Sequence, residues 1–387
     1  MKAFFKGVAV VLATASFVTV AGCARAKTDN RISTTANWNT RISTSVENSY
    51  ADYWKSNAEV AKYSVTFNKG TNGTYSVDYD TENAEYSTKF YMQSGYDWSS
   101  ADIPEGYRLA TGDDSTKSVT EDVYVYETTL TVSGSYKITS TGEEKKFDDS
   151  TVTVCKFRTA GDNLQPVYSK QIIKNTAPNS LGSGNMNLVC VQTDAVYETF
   201  YNHDCTEATV CYTDNTQTGD AVGTAISTVN LKDKSRYSLF DNSQLRLALR
   251  SIMVTETSNR TFKVLAPQNG NVTTCTATCR SAVELNKTNE AQRKIIEALD
   301  ACQPDDYIFF DGTPTDDGKS MTYRYNSIEL NISTNMQGTT PVCWYTTIEN
   351  ADINSTRSVL IRLTTPLAFN LGTLVYDLKS LALESVK

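Results

Sequence analysis

The reading of residues 122–140, DVYVYETTLTVSGSYKITS, decides the fold. Tyr124, Tyr126, Leu130, Val132, Tyr136 and Ile138 all fall on even positions, while Glu127, Thr129, Thr131, Ser133, Ser135 and Lys137 fall on odd ones. A period of two places the two sets on opposite faces of an extended strand. The residue types agree, because aromatic and β-branched side chains pack well on a pleated surface. At about 3.3 Å per residue the run would reach roughly 60 Å, well past the usual strand of about 3–10 residues. Gly134 marks an expected bend or bulge.

The same period continues on both sides. Upstream, Tyr63, Val65 and Phe67 alternate with Ser64 and Thr66, a turn follows at 69–73, and Tyr75, Val77 and Tyr79 alternate with Ser76 and Asp78. A second turn at 80–83 leads to Tyr86, Thr88, Phe90 and Met92, which predicts a three-stranded meander with one aromatic face. Further alternating runs lie near 146–158, 165–174, 187–201, 206–213, 224–231, 260–266, 304–310, 321–332, 340–348, 356–364 and 371–381. Three segments have helical spacing instead. Ala51, Trp54, Ala58 and Ala61 predict a helix over 46–62; Asp241 or Ser243 caps one running through Leu245, Leu247, Leu249 and Ile252; Asn289-Glu290-Ala291-Gln292 resembles a capping box ahead of Ile295, Ile296, Leu299 and Cys302. Strands far outnumber helices and their connections are short, so the sheet is expected to be antiparallel rather than built of βαβ units. The expected fold is therefore mainly β: a large curved antiparallel sheet, or an open barrel or sandwich, with a few helices. A Thr-, Asn- and Gly-rich stretch at 214–223 marks a weak subdivision within the β-rich region 46–387.

Composition narrows the function. The 387 residues carry a formal net charge of −8, one histidine and nine cysteines. An acidic balance argues against nucleic acid, whose binding needs a basic face. One histidine excludes His-cluster metal sites and leaves little room for His-based catalysis. No GxSxG, SxxK, HExxH or GxGxxG motif is present, so no catalytic residue, metal or cofactor is assigned and the protein is not expected to be an enzyme. Carboxylate-pair chemistry, which needs no local motif, stays open as a glycan-acting surface hydrolase. Tyr96, Trp98 and Tyr107 would be its stacking platform, although strand aromatics are more often core.

The N-terminus carries an address. Lys2 and Lys6 form a basic n-region, residues 7–20 are uncharged and mostly apolar, and Val20-Ala21-Gly22-Cys23 follows. At about 14 residues the apolar run is too short to span a bilayer as a helix. The ending resembles the lipobox of bacterial lipoproteins, with Val20 where the family most often has Leu. That resemblance implies a signal helix over 1–22, removed before Cys23, and a diacylglycerol and further acyl chain such as palmitate on Cys23. Two chains anchor a protein stably, at about 0.8 kcal/mol per buried CH₂. The protein would then be extracytoplasmic and anchored in the cell envelope, on the outer membrane where the envelope is double. Residues 23–45 are Thr-, Ser-, Asn- and Ala-rich without apolar periodicity, as a flexible linker should be. The order of elements beyond it resembles the half-open β-barrels of lipoprotein carriers, which implies a sheet wrapped round helices and a hydrophobic cavity. On that likeness Tyr75, Tyr79, Tyr124 and Tyr126 are the candidate ligand-facing aromatics. The expected activity is non-catalytic binding of a lipid, another hydrophobic ligand or an envelope protein. A structural or adhesive module of β-sandwiches is the alternative.

Eight cysteines remain after Cys23: Cys155, Cys190, Cys205, Cys211, Cys275, Cys279, Cys302 and Cys343. An even count in an exported chain allows disulfides, yet several sit in apolar strand text where a free thiol packs as a small hydrophobe. Cys275 and Cys279, four apart on one extended strand, lie too far apart to bond. His203 with Cys190, Cys205 and Cys211 is a zinc set of unfamiliar spacing, and a plain turn at 202–204 is the simpler reading. Residues 312–320 miss a phosphate loop by one residue and read better as a hairpin loop. Asp305, Asp306, Asp311, Asp316 and Asp317 around it offer oxygen ligands for Ca²⁺.

Overall fold

The structure, a computed structural model, describes residues 49–97, 120–160, 163–178, 180–181, 188–189, 192–216, 224–231, 239–252, 257–301, 323–332, 340–350 and 355–386. Eighteen strands are assigned: β1 (Asn57–Lys69), β2 (Tyr75–Asp97), β3 (Thr120–Ile138), β4 (Glu144–Ala160), β5 (Asn163–Asn175), β6 (Ser180–Leu181), β7 (Leu188–Val189), β8 (Thr193–Tyr201), β9 (Glu207–Asp214), β10 (Thr224–Asn230), β11 (Leu239–Asp241), β12 (Arg260–Ala266), β13 (Asn271–Cys279), β14 (Val283–Glu284), β15 (Arg324–Ile332), β16 (Val342–Asn350), β17 (Ser355–Pro366) and β18 (Gly372–Ser385). The α-helices are α1 (Ser49–Ser56), α2 (Leu245–Ala248) and α3 (Glu290–Ala301). All strands but β6 and β7 belong to one 16-stranded sheet. Its main path runs β10-β9-β8-β5-β4-β3-β2-β1-β18-β17-β16-β15-β13-β12-β11, with β14 paired to β15. Pairing is antiparallel except between β11 and β12, so the sheet is mixed at one end.

The deciding stretch is β3, in the middle of the longest strands. It pairs with β2 over most of its length and with β4 from Tyr124↔Phe157 to Lys137↔Glu144. The predicted turn at 80–83 is instead an irregularity inside one long β2: the register slips between Asp80 and Glu85, and the Asp80 carboxylate accepts from the Asn83 side chain at 2.7 Å. A bulge keeps the strand in the sheet while increasing its twist. Gly134 is required by close approach. A Cβ there would lie 2.1 Å from the Asp78 carbonyl oxygen and 2.7 Å from the Phe147 ring.

The predicted helix over 46–62 is also corrected. Helix α1 ends at Ser56, and Asn57 caps it by donating to the Tyr53 carbonyl at 2.9 Å. Residues 57–62 are strand because pairing with β18, from Asn57↔Ser385 onward, satisfies their backbone groups. The alanine spacing that reads as helical is filled by both faces of this strand, with Ala58 and Ala61 both buried. Helix α3 matches its sequence signal in part. Asn289 caps by accepting from the Gln292 amide at 3.1 Å, but the Gln292 side chain accepts from the Asn286 amide, one turn further back. No helix among the described residues is long and apolar enough to cross a membrane.

The sheet rolls up without closing. Its two ends, β10 and β11, do not pair with each other, but side chains bridge the gap. Leu265 on β12 packs with Tyr201 of β8, Ala208 of β9 and Leu231, and Gln268 donates to Gln171 on β5. The concave side is lined by aromatic files. Trp54, Phe90, Tyr124 and Phe157 follow one another across α1, β2, β3 and β4 at centroid spacings of 4.9, 5.6 and 5.6 Å. Phe67, Tyr79 and Phe147 form a second file. Such pairs contribute roughly 0.5–1.5 kcal/mol each beyond their burial.

Candidate functional site

Residues 239–252 enter the rolled sheet as a plug. Strand β11 is only three residues long, α2 only four, and residues 249–251 add a 3₁₀ turn. So short a helix has no stability of its own, and the N-cap position Gln244 makes no side-chain cap. The plug is held instead from the sheet. Asp241, fully buried, accepts from Ser169 of β5 at 2.6 Å, from the Tyr201 hydroxyl of β8 at 2.7 Å and from the Ser243 amide at 2.8 Å. Burial raises its pKa, and the three donors work against that shift. Leu245, Leu247, Leu249 and Ile252 complete the apolar core.

Two arginines leave this plug one helical turn apart, into different surroundings. Arg250 and Glu59 of β1 are each 2% exposed and form an ion pair at 2.5 Å. Burial opposes the Arg250 charge, and Glu59 together with Tyr126 and Tyr63 more than offsets that, moving its pKa upward. Arg246 has no carboxylate within ion-pair distance among the described residues. It donates to the Tyr86 hydroxyl at 3.1 Å and lies 5.9 Å from that ring's centroid, while its backbone carbonyl accepts from Tyr345 at 2.7 Å.

The Arg246 side borders a cavity of about 80 Å³. Thr128, Thr151, Thr153 and Gln171 come from the long strands, Asn242 and Ser243 from the plug, and Gln268 from the turn after β12; Leu330, Ile332 and Pro341 close the far side. Gln171 donates to Ser243 at 2.7 Å, and Thr128 and Thr153 share a hydrogen bond of 2.7 Å. The Gln268 side-chain oxygen is buried without a hydrogen-bond partner. A smaller void of about 30 Å³ adjoins it, sharing Leu130 and Thr151, and carries Asp149 and Tyr79 on its wall. Burial pushes the Asp149 carboxyl up to about 6, although the Thr176 amide donates to it at 2.7 Å.

All four candidate ligand-facing tyrosines point into the concave core. Tyr124 stacks between Phe90 and Phe157, and Tyr75 packs edge-on to Tyr136. Tyr79 lies between Phe67 and Phe147 at the smaller void. Tyr126, 1% exposed, lies within electrostatic reach of both arginines. Both voids are far below the roughly 300–1,000 Å³ of ordinary ligand pockets, so neither of these two holds an acyl chain. Sequence reasoning missed Arg246 and Arg250. Their signal was legible as Leu245-Arg246-Leu247-Ala248-Leu249-Arg250, two cations four residues apart in an otherwise apolar stretch.

His203 lies in the turn between β8 and β9, where Asn202 accepts from the Thr206 and Glu207 amides. The Arg158 guanidinium contacts its ring nitrogen at 2.8 Å and also donates to Gln165 and Glu121. No metal-binding cluster occurs among the described residues. Cys155, Cys205, Cys211, Cys275, Cys279 and Cys343 are free thiols. Burial raises the pKa of Cys343 to about 11 and of Cys205 to about 12. Cys23, Trp98, Tyr107, Cys190, Cys302 and the segment 305–320 with its five aspartates lie outside the described residues.

No protein-family model, no curated protein and no solved structure matches the chain.

Proposed function

We propose that the chain is a lipid-anchored envelope lipoprotein whose rolled sheet is a non-catalytic binding domain for a small polar ligand. The anchor rests on Val20-Ala21-Gly22-Cys23 behind a basic n-region. The binding role rests on one observation: the lining of the larger cavity offers a guanidinium, hydroxyls and carboxamides. Those groups orient and hold a ligand, and the interior carboxylates of Glu59 and Asp241 are engaged in holding the fold. General acid–base chemistry needs a proton carrier poised near neutral pH at the reacting atoms; the lining of the larger cavity offers arginine and tyrosine, and the raised carboxyl of Asp149 lies on the wall of the adjoining smaller void. The size of the cavity favours a compact polar molecule over the lipid that the half-barrel likeness suggests.

The anchor is tested by fractionating cells that express the full chain during labelling with an alkyne-bearing palmitate analogue. The wild type should take label and sediment with membranes. Cys23→Ala should take none and move to the soluble fraction. Equal labelling and equal sedimentation of the two would overturn the anchor.

A further inference from the structure

The cavity beside Arg246 has features that narrow its ligand. A cation partly withdrawn from water without a counterion gives up solvation that no partner charge repays. The buried Arg250 is matched by Glu59, whereas the half-buried Arg246, on the same plug, has only a neutral phenol among the described residues. One unmatched positive charge calls for one negative charge, and a guanidinium's forked donors fit a carboxylate best. The Gln268 oxygen, buried and unpaired, needs a donor, and a simple carboxylate has none to give. Thr151, Thr153 and Ser243 supply further hydroxyls, while Leu245, Leu330, Ile332 and Pro341 leave an apolar wall. A volume of about 80 Å³ has room for about five water-sized groups, which limits the ligand to a few heavy atoms.

We propose that this cavity is a receptor site for a short-chain hydroxylated carboxylate, its carboxylate on Arg246 and its hydroxyl donating to Gln268. The assignment rests on the binding role proposed above and specifies its ligand class. The carboxylate supplies the charge that Glu59 supplies to Arg250. The hydroxyl separates this class from acetate and other plain acids, and the apolar wall accepts one or two carbons.

The test is titration of the full chain, purified in detergent, with glycolate, lactate, acetate and ethylene glycol, read by calorimetry and by thermal unfolding. Glycolate or lactate should bind saturably at one site per chain and raise the melting temperature. Acetate should bind at least about tenfold more weakly, and ethylene glycol should give no saturable signal. Arg246→Gln, with its fold checked by near-ultraviolet circular dichroism, should lose at least about tenfold in glycolate affinity, and Arg246→Lys should retain part of it. Gln268→Leu keeps the charge and should narrow the gap between glycolate and acetate. If Arg246→Gln fails to fold, the wild-type order of the four probes and the Gln268→Leu variant still decide. No saturable response to any carboxylate would show a hydrated void only and overturn the assignment. Equal binding of glycolate and ethylene glycol would also overturn it, while leaving a binding role intact. Neither result bears on the Cys23 fractionation, so a failed ligand and a failed anchor are told apart.

Discussion

Arg246 and Arg250 sit four residues apart on one plug, inside one sheet and among the same tyrosines, yet one is matched by the protein and the other is not. Arg250 closes on Glu59 in a dry pair. Arg246 opens on a cavity. The difference separates two uses of interior charge. A matched pair fixes where the plug docks against β1, since breaking it strands a charge. An unmatched one leaves interaction energy available to something from outside. The largest effect should therefore come from breaking the matched side. Glu59→Ala leaves Arg250 buried and uncompensated, a change that typically costs about 3–5 kcal/mol. Urea unfolding followed by tryptophan fluorescence, with Trp54 buried beside the same core, would show the midpoint fall. A Glu59→Ala protein as stable as the wild type would erase the distinction between the two arginines.

The carboxylates sharpen the same contrast through pH. Asp149 borders the smaller void, and burial lifts its carboxyl from the ordinary 3.8 to about 6. Across that window the folded protein holds a proton that the unfolded chain has released. Stability must then fall as pH rises from about 4 to about 6. The loss is at most about 3 kcal/mol, since each tenfold change in proton affinity corresponds to about 1.4 kcal/mol. Asp241 is raised in the same direction by burial, so its contribution has the same sign. Melting temperatures measured across pH 4–7 should decline through this window. Asp149→Asn keeps an acceptor for the Thr176 amide, and it should flatten the decline and stabilise the protein at pH 7. A rise in stability over the same range would contradict the burial of Asp149 as an unmatched acid.

How much of this could be read from the sequence depends on the range of the interactions. Strand identity is written locally, as the alternation along 122–140 shows: β3 runs Thr120–Ile138, with Tyr124, Tyr126 and Leu130 facing the core. Continuity is less local. Residues 80–83 carry turn chemistry, but pairing with β3 on both sides of them holds β2 in one piece. The strand start at Asn57 is likewise decided by β18, more than three hundred residues away. The plug was legible as a helix but not as a site. Its partners Glu59, Tyr86, Ser169 and Tyr201 are scattered over β1, β2, β5 and β8, and nothing in the chain before folding links them to Arg246, Arg250 or Asp241. The four tyrosines expected to face a ligand lie on the core side, where Tyr75, Tyr79 and Tyr124 pack against Tyr136, Phe67, Phe147, Phe90 and Phe157.

The smallest effect should come from the unmatched arginine itself. Arg246→Gln removes one hydrogen bond to Tyr86 and also removes a half-buried charge without a counterion. The first change costs about 1 kcal/mol and the second returns a comparable amount, so stability should stay within about 1 kcal/mol of wild type. That near-neutrality sets it apart from Glu59→Ala more sharply than any distance does. Urea midpoints of the two variants, measured side by side in ligand-free buffer, provide the comparison. Should Arg246→Gln instead lose several kcal/mol, Arg246 would be as much a part of the fold as Arg250, and the cavity beside it a packing defect rather than a receptor.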